Sequence, residues 1–216
     1  LGPPGTPEAD FRAIAWRHRL PREFSKDALD EAAAPSDSLD PAEIARRHDL
    51  RGLPFVTIDP ATARDHDDAV CVETLERGGF RLWVGIADVA HFVPEGGALD
   101  IEARRRGNSV YFPDRAIPML PERLSGELCS LRPGVDRLAF VVELSLDAGG
   151  AMEGVHFHEA VIRSRARLVY DDAARVMEGG ASADVPGGEV TEQLQRLAVL
   201  AIDVGTQSTR AALVDL

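Results

Sequence analysis

The segment PFVTIDPATARDHDDAV, residues 54–70, joins an apolar run to a turn that holds four aspartates within ten residues. The aspartates are Asp59, Asp65, Asp67 and Asp68. The apolar run is rich in β-branched residues and is typical of a buried strand. Because proline cannot continue a strand's hydrogen bonding, Pro60 places Asp59 at the strand's end. The segment therefore predicts a strand that brings several carboxylates together in one tight turn.

Clustered carboxylates repel one another unless cations offset their charge, and the repulsion raises their pKa values. Three interpretations stay open: a solvated acidic loop, an acidic loop paired with Arg64, or a metal site. The available ligands are oxygens, without a His or Cys pair at zinc spacing, which favours a hard cation such as Mg²⁺. Magnesium sites with few protein ligands usually take further ligands from a phosphate, which indicates phosphoryl chemistry. His66 lies inside the turn; its role stays open and it is not assigned to the site.

The rest of the chain predicts an α+β fold, with a mixed or antiparallel sheet and flanking helices. The strand-like runs are RLWVGIADV, AFVVELSL and much of VHFHEAVIRSRARLVY, and Gly-Gly turns in LERGGF and LDAGGAME suit hairpins. Helices are expected within residues 1–50, in LDIEARRR up to Gly107, and in YDDAARVME. A short helical turn in SGELCSL is expected to have Ser125 as its N-cap.

Composition restricts the class of protein. The formal net charge of −12 argues against a protein that simply coats nucleic acid. The run Arg104–Arg106 either attracts a nucleic acid or forms a solvated helix face. Neither a transmembrane stretch nor a signal peptide is evident, and two cysteines without metal-ligand spacing favour a reduced, cytoplasmic protein. The missing initiator Met suggests a fragment or a processed chain.

Several long motifs, in order, resemble the catalytic domain of the RNase II/RNase R exoribonucleases. They are PFVTIDPATARDHDDAV, LWVGIADVAHFV, RGNSVYFPDRAIPMLPERLSGELCSLRPG and SRARLVYDDA. The resemblance extends over about residues 1–180. It implies a hydrolytic 3′→5′ exoribonuclease that threads single-stranded RNA into a channel and releases nucleoside 5′-monophosphates with Mg²⁺. Neither DNA nor a membrane is an expected partner.

The resemblance also implies roles for individual residues. Asp59, Asp65 and Asp68 would bind the metal or shape its site, and cleavage would depend most on Asp67. Tyr111 and Tyr170 match tyrosines that contact the RNA end, where a ring face can stack on a base irrespective of sequence. For either tyrosine, burial in the core is the alternative.

The chain departs from complete members of that family, which are longer and carry RNA-binding domains, a further phosphate-contacting arginine and a catalytic glutamate. We therefore expect a partial catalytic domain in which activity and inactivity both stay open, with a noncatalytic metal- or RNA-binding fragment as the alternative function. The end, AIDVGTQSTRAALVDL, resembles the opening strand–turn–strand of FGGY-type sugar kinases, which contains their first phosphate loop. Asp203, Gly205 and Thr206 match the turn. A carbohydrate-kinase fragment is the weaker alternative.

Four segments are expected from these patterns. Residues 1–50 form a helical lead-in, and residues 51–180 form the partial RNB exoribonuclease domain. Residues 181–196 form a linker or helix, and residues 197–216 form the kinase-like remnant.

Overall fold

A computed structural model describes residues 5–76 and 78–203, with side chains described up to residue 200. The helices are α1 (Pro7–Arg17), α2 (Lys26–Ala33), α3 (Pro41–Arg46), α4 (Ala98–Arg106), α5 (Tyr170–Met177) and α6 (Glu189–Asp203). The strands are β1 (His48–Asp49), β2 (Val56–Asp59), β3 (Asp68–Thr74), β4 (Phe80–Ala87), β5 (Val110–Tyr111), β6 (Ala116–Ile117), β7 (Asp136–Leu146), β8 (Met152–Arg163) and β9 (Ala166–Val169).

The chain divides into two compact units. The first unit combines Leu1–Asp37 with Val89–Glu127, and the second combines Ser38–Asp88 with Leu128–Leu216. The described residues 5–37 therefore pack with a segment that follows β4.

The first unit contains α1, α2, α4 and the small β5–β6 hairpin. The buried Arg106 holds these pieces together: its guanidinium donates to the carbonyl oxygens of Pro21, Glu23 and Pro118 at 2.7–3.1 Å. It also lies 3.7 Å from the ring centroid of Phe24. Arg106 is thus a structural residue and not part of a solvated face.

The second unit is built on a seven-stranded sheet in the order β1-β8-β7-β4-β3-β2-β9. The β1–β8 and β2–β9 pairs are parallel and the other neighbours are antiparallel. The two Gly-Gly turns connect β3 to β4 and β7 to β8, as the sequence predicts. The α+β class with a mixed, mostly antiparallel sheet and flanking helices is therefore confirmed.

Helices α5 and α6 cover one face of the sheet at β2, β3 and β9. Leu194 and Leu197 of α6 pack in this core with Val56, Val72 and Leu168 from the three strands. The hydrophobic spacing of α6 therefore completes the core of the second unit. No helix of the described residues is both long and apolar enough to cross a bilayer.

Strand β2 is short, and it pairs with β3 only at Val56 and Val70. The backbone N–H of Val72 donates instead to the side-chain oxygen of Gln193, 2.8 Å away in α6. Both groups are buried, and an unpaired buried N–H is costly. Gln193 therefore supplies a hydrogen bond to β3 that β2 does not provide there.

Two local expectations are wrong. Ser125 is not an N-cap, because the N–H groups of Leu124 and Ser125 both donate to the Pro121 carbonyl oxygen, so the turn begins earlier. Ser125 lies inside a six-residue π-helical segment, Arg123–Leu128. Helix α6 continues to Asp203, where the kinase resemblance implies a strand. Gly205 and Thr206 lie outside the described residues.

Replacing Gln193 by Ala should lower the free energy of unfolding by about 1–3 kcal/mol, because the Val72 N–H loses its buried partner. Urea denaturation measures this change. Gln195→Ala, at an exposed position of the same helix, is the control and should change stability little. An unchanged stability in Gln193→Ala would contradict this role for the side chain.

Candidate active site

The acidic turn lies at one end of the sheet in the second unit. Asp59 is the last residue of β2 and lies beside Val169, the last residue of the parallel strand β9. Tyr170 follows directly and begins α5. Asp68 begins β3, which runs antiparallel to β2, so it starts at the same end. The topology thus brings both ends of the acidic turn and Tyr170 to one sheet edge.

Neighbouring segments fix the backbone of the turn. Ala87, at the end of β4, donates its N–H to the carbonyl oxygen of Asp67 at 2.8 Å. Arg167 of β9 donates to the carbonyl oxygen of Ala61 at 2.9 Å. The Leu131 N–H donates to the carbonyl oxygen of His66 at 2.8 Å. The turn therefore has backbone anchors on three sides.

His66 is buried and lies against one of the predicted metal ligands. Its Nδ1 is 2.8 Å from Oδ2 of Asp59, and its backbone N–H donates to Oγ of Ser130 at 3.2 Å. The buried Arg137 in turn donates to the Ser130 carbonyl oxygen at 2.9 Å. His66 therefore orients Asp59, and Arg137 and Ser130 support His66.

The charges of the turn act on one another. Asp67 is exposed at its outer side, yet neighbouring protein atoms displace enough water to raise its pKa to about 6. The negative charges of Asp65, Asp68 and Asp59 add to the rise. The pKa of Asp68 is also raised, first by desolvation and then by Asp59. The structure thus places Asp67 within electrostatic reach of the other three aspartates.

The two predicted RNA-contacting tyrosines lie in different units. Tyr170 is half-buried at the sheet end that carries the aspartates. Tyr111 belongs to the β5–β6 hairpin of the first unit and is 71% exposed. Tyr111 is therefore not a core residue.

Whether a cation fits the acidic turn depends on the charge of the turn and on the type of donor atom that it offers. Among residues 5–76 and 78–200, no three His, Cys, Asp or Glu side chains are already grouped as a metal site. The four aspartates nevertheless supply only hard oxygen donors. Desolvation raises the pKa of Asp67 first, and the negative charges of the other three aspartates raise it further; a divalent cation would offset that second contribution. The donor set fits Mg²⁺.

The sequence does not indicate the residues that support the turn, because they lie far from it along the chain. Arg137, Ser130 and Arg167 reach the turn only after β7, the following loop and β9 are in place. Only His66 had a local indication, its position between two aspartates. The sequence does not show that its ring turns toward Asp59.

Replacing Asp67 by Asn should raise the thermal stability of the metal-free chain at pH 7.5. The folded pKa of about 6 lies above the unfolded value of about 3.9, so protonated Asp67 favours folding at low pH. That contribution is lost as the pH rises through 6, whereas Asn keeps it. The advantage of the variant should therefore shrink between pH 6 and pH 4.

Thermal unfolding in EDTA across this pH range measures the effect. Glu178→Gln, which removes one exposed carboxylate at the opposite end of α5, is the control. A melting midpoint lower for Asp67→Asn than for the unchanged chain at pH 7.5 would contradict the raised pKa of Asp67.

Comparisons with known proteins identify the family of the chain. The RNB domain family matches residues 47–215. Ribonuclease R of Aquifex aeolicus is 41% identical over 199 residues, covering 91% of this chain and 28% of its own length. Ribonuclease R of Escherichia coli is 47% identical over 167 residues, covering 77% of this chain and 20% of its own.

A solved structure also matches. Mycoplasma genitalium RNase R, in complex with ribose methylated single-stranded RNA, superposes with a TM-score of 0.87 at 34% identity. The match covers 98% of this chain and 32% of that one. The chain thus spans about a third or less of these relatives' length. The chain belongs to the RNB-domain family of RNase II and RNase R.

Proposed function

We propose that this chain carries the cation-binding part of a hydrolytic 3′→5′ exoribonuclease that removes nucleoside 5′-monophosphates from single-stranded RNA with Mg²⁺. The observation that carries the proposal is the electrostatic grouping of four aspartates at one sheet end, in a chain of the RNB-domain family. Such a group of carboxylates is suited to a cation that also contacts phosphate.

Each aspartate has a role in the proposal. Asp59, Asp65 and Asp68 hold the cation, and His66 keeps Asp59 turned toward it through the 2.8 Å contact. Bound Mg²⁺ supplies a more acidic water and neutralises charge on the phosphate. Cleavage depends most on Asp67, whose exposed carboxylate lies within electrostatic reach of the other three aspartates.

The tyrosines contact the RNA in this proposal. Tyr170 holds the nucleotide being removed, because it lies at the same sheet end as Asp59. Tyr111 offers an exposed ring that stacks on a base or packs on a ribose farther along the strand. Stacking requires no particular base, which suits an exonuclease without sequence preference.

The two cysteines bear on the compartment in which the protein works. Cys71 and Cys129 are free and buried, and burial raises both thiol pKa values to about 12, which suits a reducing compartment such as the cytoplasm. A noncatalytic metal- or RNA-binding chain is the second candidate. It differs from the first candidate in binding RNA or a cation without shortening the RNA.

Incubation of the chain with 5′-labelled single-stranded RNA and Mg²⁺ tests the function. The RNA should shorten stepwise from its 3′ end and release nucleoside 5′-monophosphates. Asp67→Asn should slow shortening on the order of a thousandfold, because the cleavage step loses several kcal/mol of stabilisation.

Glu178→Gln is the matched control and should cleave as the unchanged chain does. RNA that is bound but never shortened would favour the noncatalytic candidate. Shortening that persists in Asp67→Asn would refute the assignment of this residue.

A further inference from the structure

A basic groove in the first unit takes no part in the site described above. It encloses about 660 Å³ between the end of α1, the segment that follows it and α4. Five of its nine lining residues are arginines, and the only aromatic one is a tryptophan. These six residues, the basic groove residues, are Arg12, Arg17, Arg19, Arg22, Arg105 and Trp16.

Most of this positive charge is uncompensated. Arg12 pairs with Glu8 at 2.5 Å. The other four arginines are exposed and have no ion pair within the described part of the chain. In a chain whose formal net charge is −12, four unpaired guanidinium groups around one groove mark a site for an anion. Planar guanidinium groups are well matched to phosphate oxygens.

The backbone at Arg19 supports this interpretation independently. Helix α1 ends with the N–H of Leu20 bonded to the Ala15 carbonyl and the N–H of Arg19 bonded to the Trp16 carbonyl. Arg19 occupies the left-handed position of this motif, with a φ of 53°, where glycine is usual. It is the one non-glycine residue with positive φ among those described. The left-handed backbone at Arg19 lowers the stability of the fold, because a side chain is strained there. It also holds the Arg19 guanidinium at the groove.

Trp16 supplies an aromatic surface at the same place. It is 81% exposed, whereas Trp83, the other tryptophan, is only 4% exposed. An exposed indole among unpaired arginines matches a strand in which bases alternate with phosphates, since any base can stack on an aromatic ring.

We propose that the basic groove binds single-stranded RNA, with Arg17, Arg19, Arg22 and Arg105 on phosphates and Trp16 stacked on a base. The choice of RNA as occupant rests on the proposed function. The groove binds the RNA strand and takes no part in its cleavage. Its residues contact backbone and base faces only, so it holds RNA without reading sequence.

Fluorescence anisotropy with labelled single-stranded RNA tests the proposal in EDTA, with Asp67→Asn in every chain to prevent cleavage. The groove variant carries Arg17→Gln, Arg19→Gln and Arg22→Gln. The control carries Arg104→Gln, Arg175→Gln and Arg196→Gln, which removes equal charge from exposed arginines already paired with a carboxylate. The groove variant should bind at least about tenfold more weakly at 0.1 M salt, and its salt slope should fall by about 2.

Two single variants separate binding from folding. Arg19→Gly relieves the left-handed strain, so it should raise the melting midpoint by about 2–4 °C while weakening RNA binding. Trp16 fluorescence should be quenched by RNA in the unchanged groove. In Trp16→Ala the quenching should disappear and the affinity should fall about tenfold, because the buried Trp83 does not report the groove.

Equal affinities of the groove and control variants would overturn the proposal and leave the groove to a protein partner. Tighter RNA binding by Arg19→Gly would also overturn it. The nuclease assay at saturating RNA is read separately, because weak binding does not limit cleavage there. Equal affinities of the two variants together with retained cleavage would refute only this inference. Weaker binding by the groove variant, without cleavage by the unchanged chain, would refute only the nuclease function.

Discussion

The concentration of negative charge around Asp67, at one end of the sheet, is the constraint on which the local structure of the acidic turn depends. The parallel pairing of β2 with β9 and the antiparallel pairing of β2 with β3 bring the turn and Tyr170 to this end. Repulsion would open such a turn if its backbone were free. Hydrogen bonds from Ala87, Leu131 and Arg167 prevent that opening. The fold therefore holds negative charge in place before any cation is present, which is the preorganisation that metal-assisted catalysis needs.

The sequence predicts the parts of this arrangement that local patterns determine. Strand periodicity and Pro60 correctly place Asp59 at a strand end, and the Gly-Gly turns correctly predict two hairpins. Contacts between distant segments leave no local pattern. The hydrogen bond from Val72 to Gln193 joins residues 121 apart, and it is needed only because β2 is too short to pair with β3 at that point. The contact of His66 with Asp59 likewise depends on the backbone position of His66, which Ser130 helps to fix.

The arginine run of α4 shows why neighbouring residues of one type cannot be given one role from sequence. Arg104 forms an exposed pair with Asp100 at 2.9 Å. Arg105 lines the basic groove, and Arg106 is buried and ties the first unit together. Successive residues of a helix point about 100° apart, so each arginine meets a different environment. The same chain thus keeps a cationic surface in one unit and an anionic turn in the other, although its net charge is strongly negative.

Mapping where a cation binds along the backbone tests most directly whether the acidic turn holds it. Fe²⁺ in place of Mg²⁺, with peroxide and ascorbate, produces radicals that cut the backbone close to the metal. Cuts are expected around residues 58–69 and around residues 169–170, where β2 and β9 end together. They should disappear in the double variant Asp59→Asn with Asp68→Asn. Cuts elsewhere, or cuts that persist in this double variant, would contradict a cation held by the acidic turn.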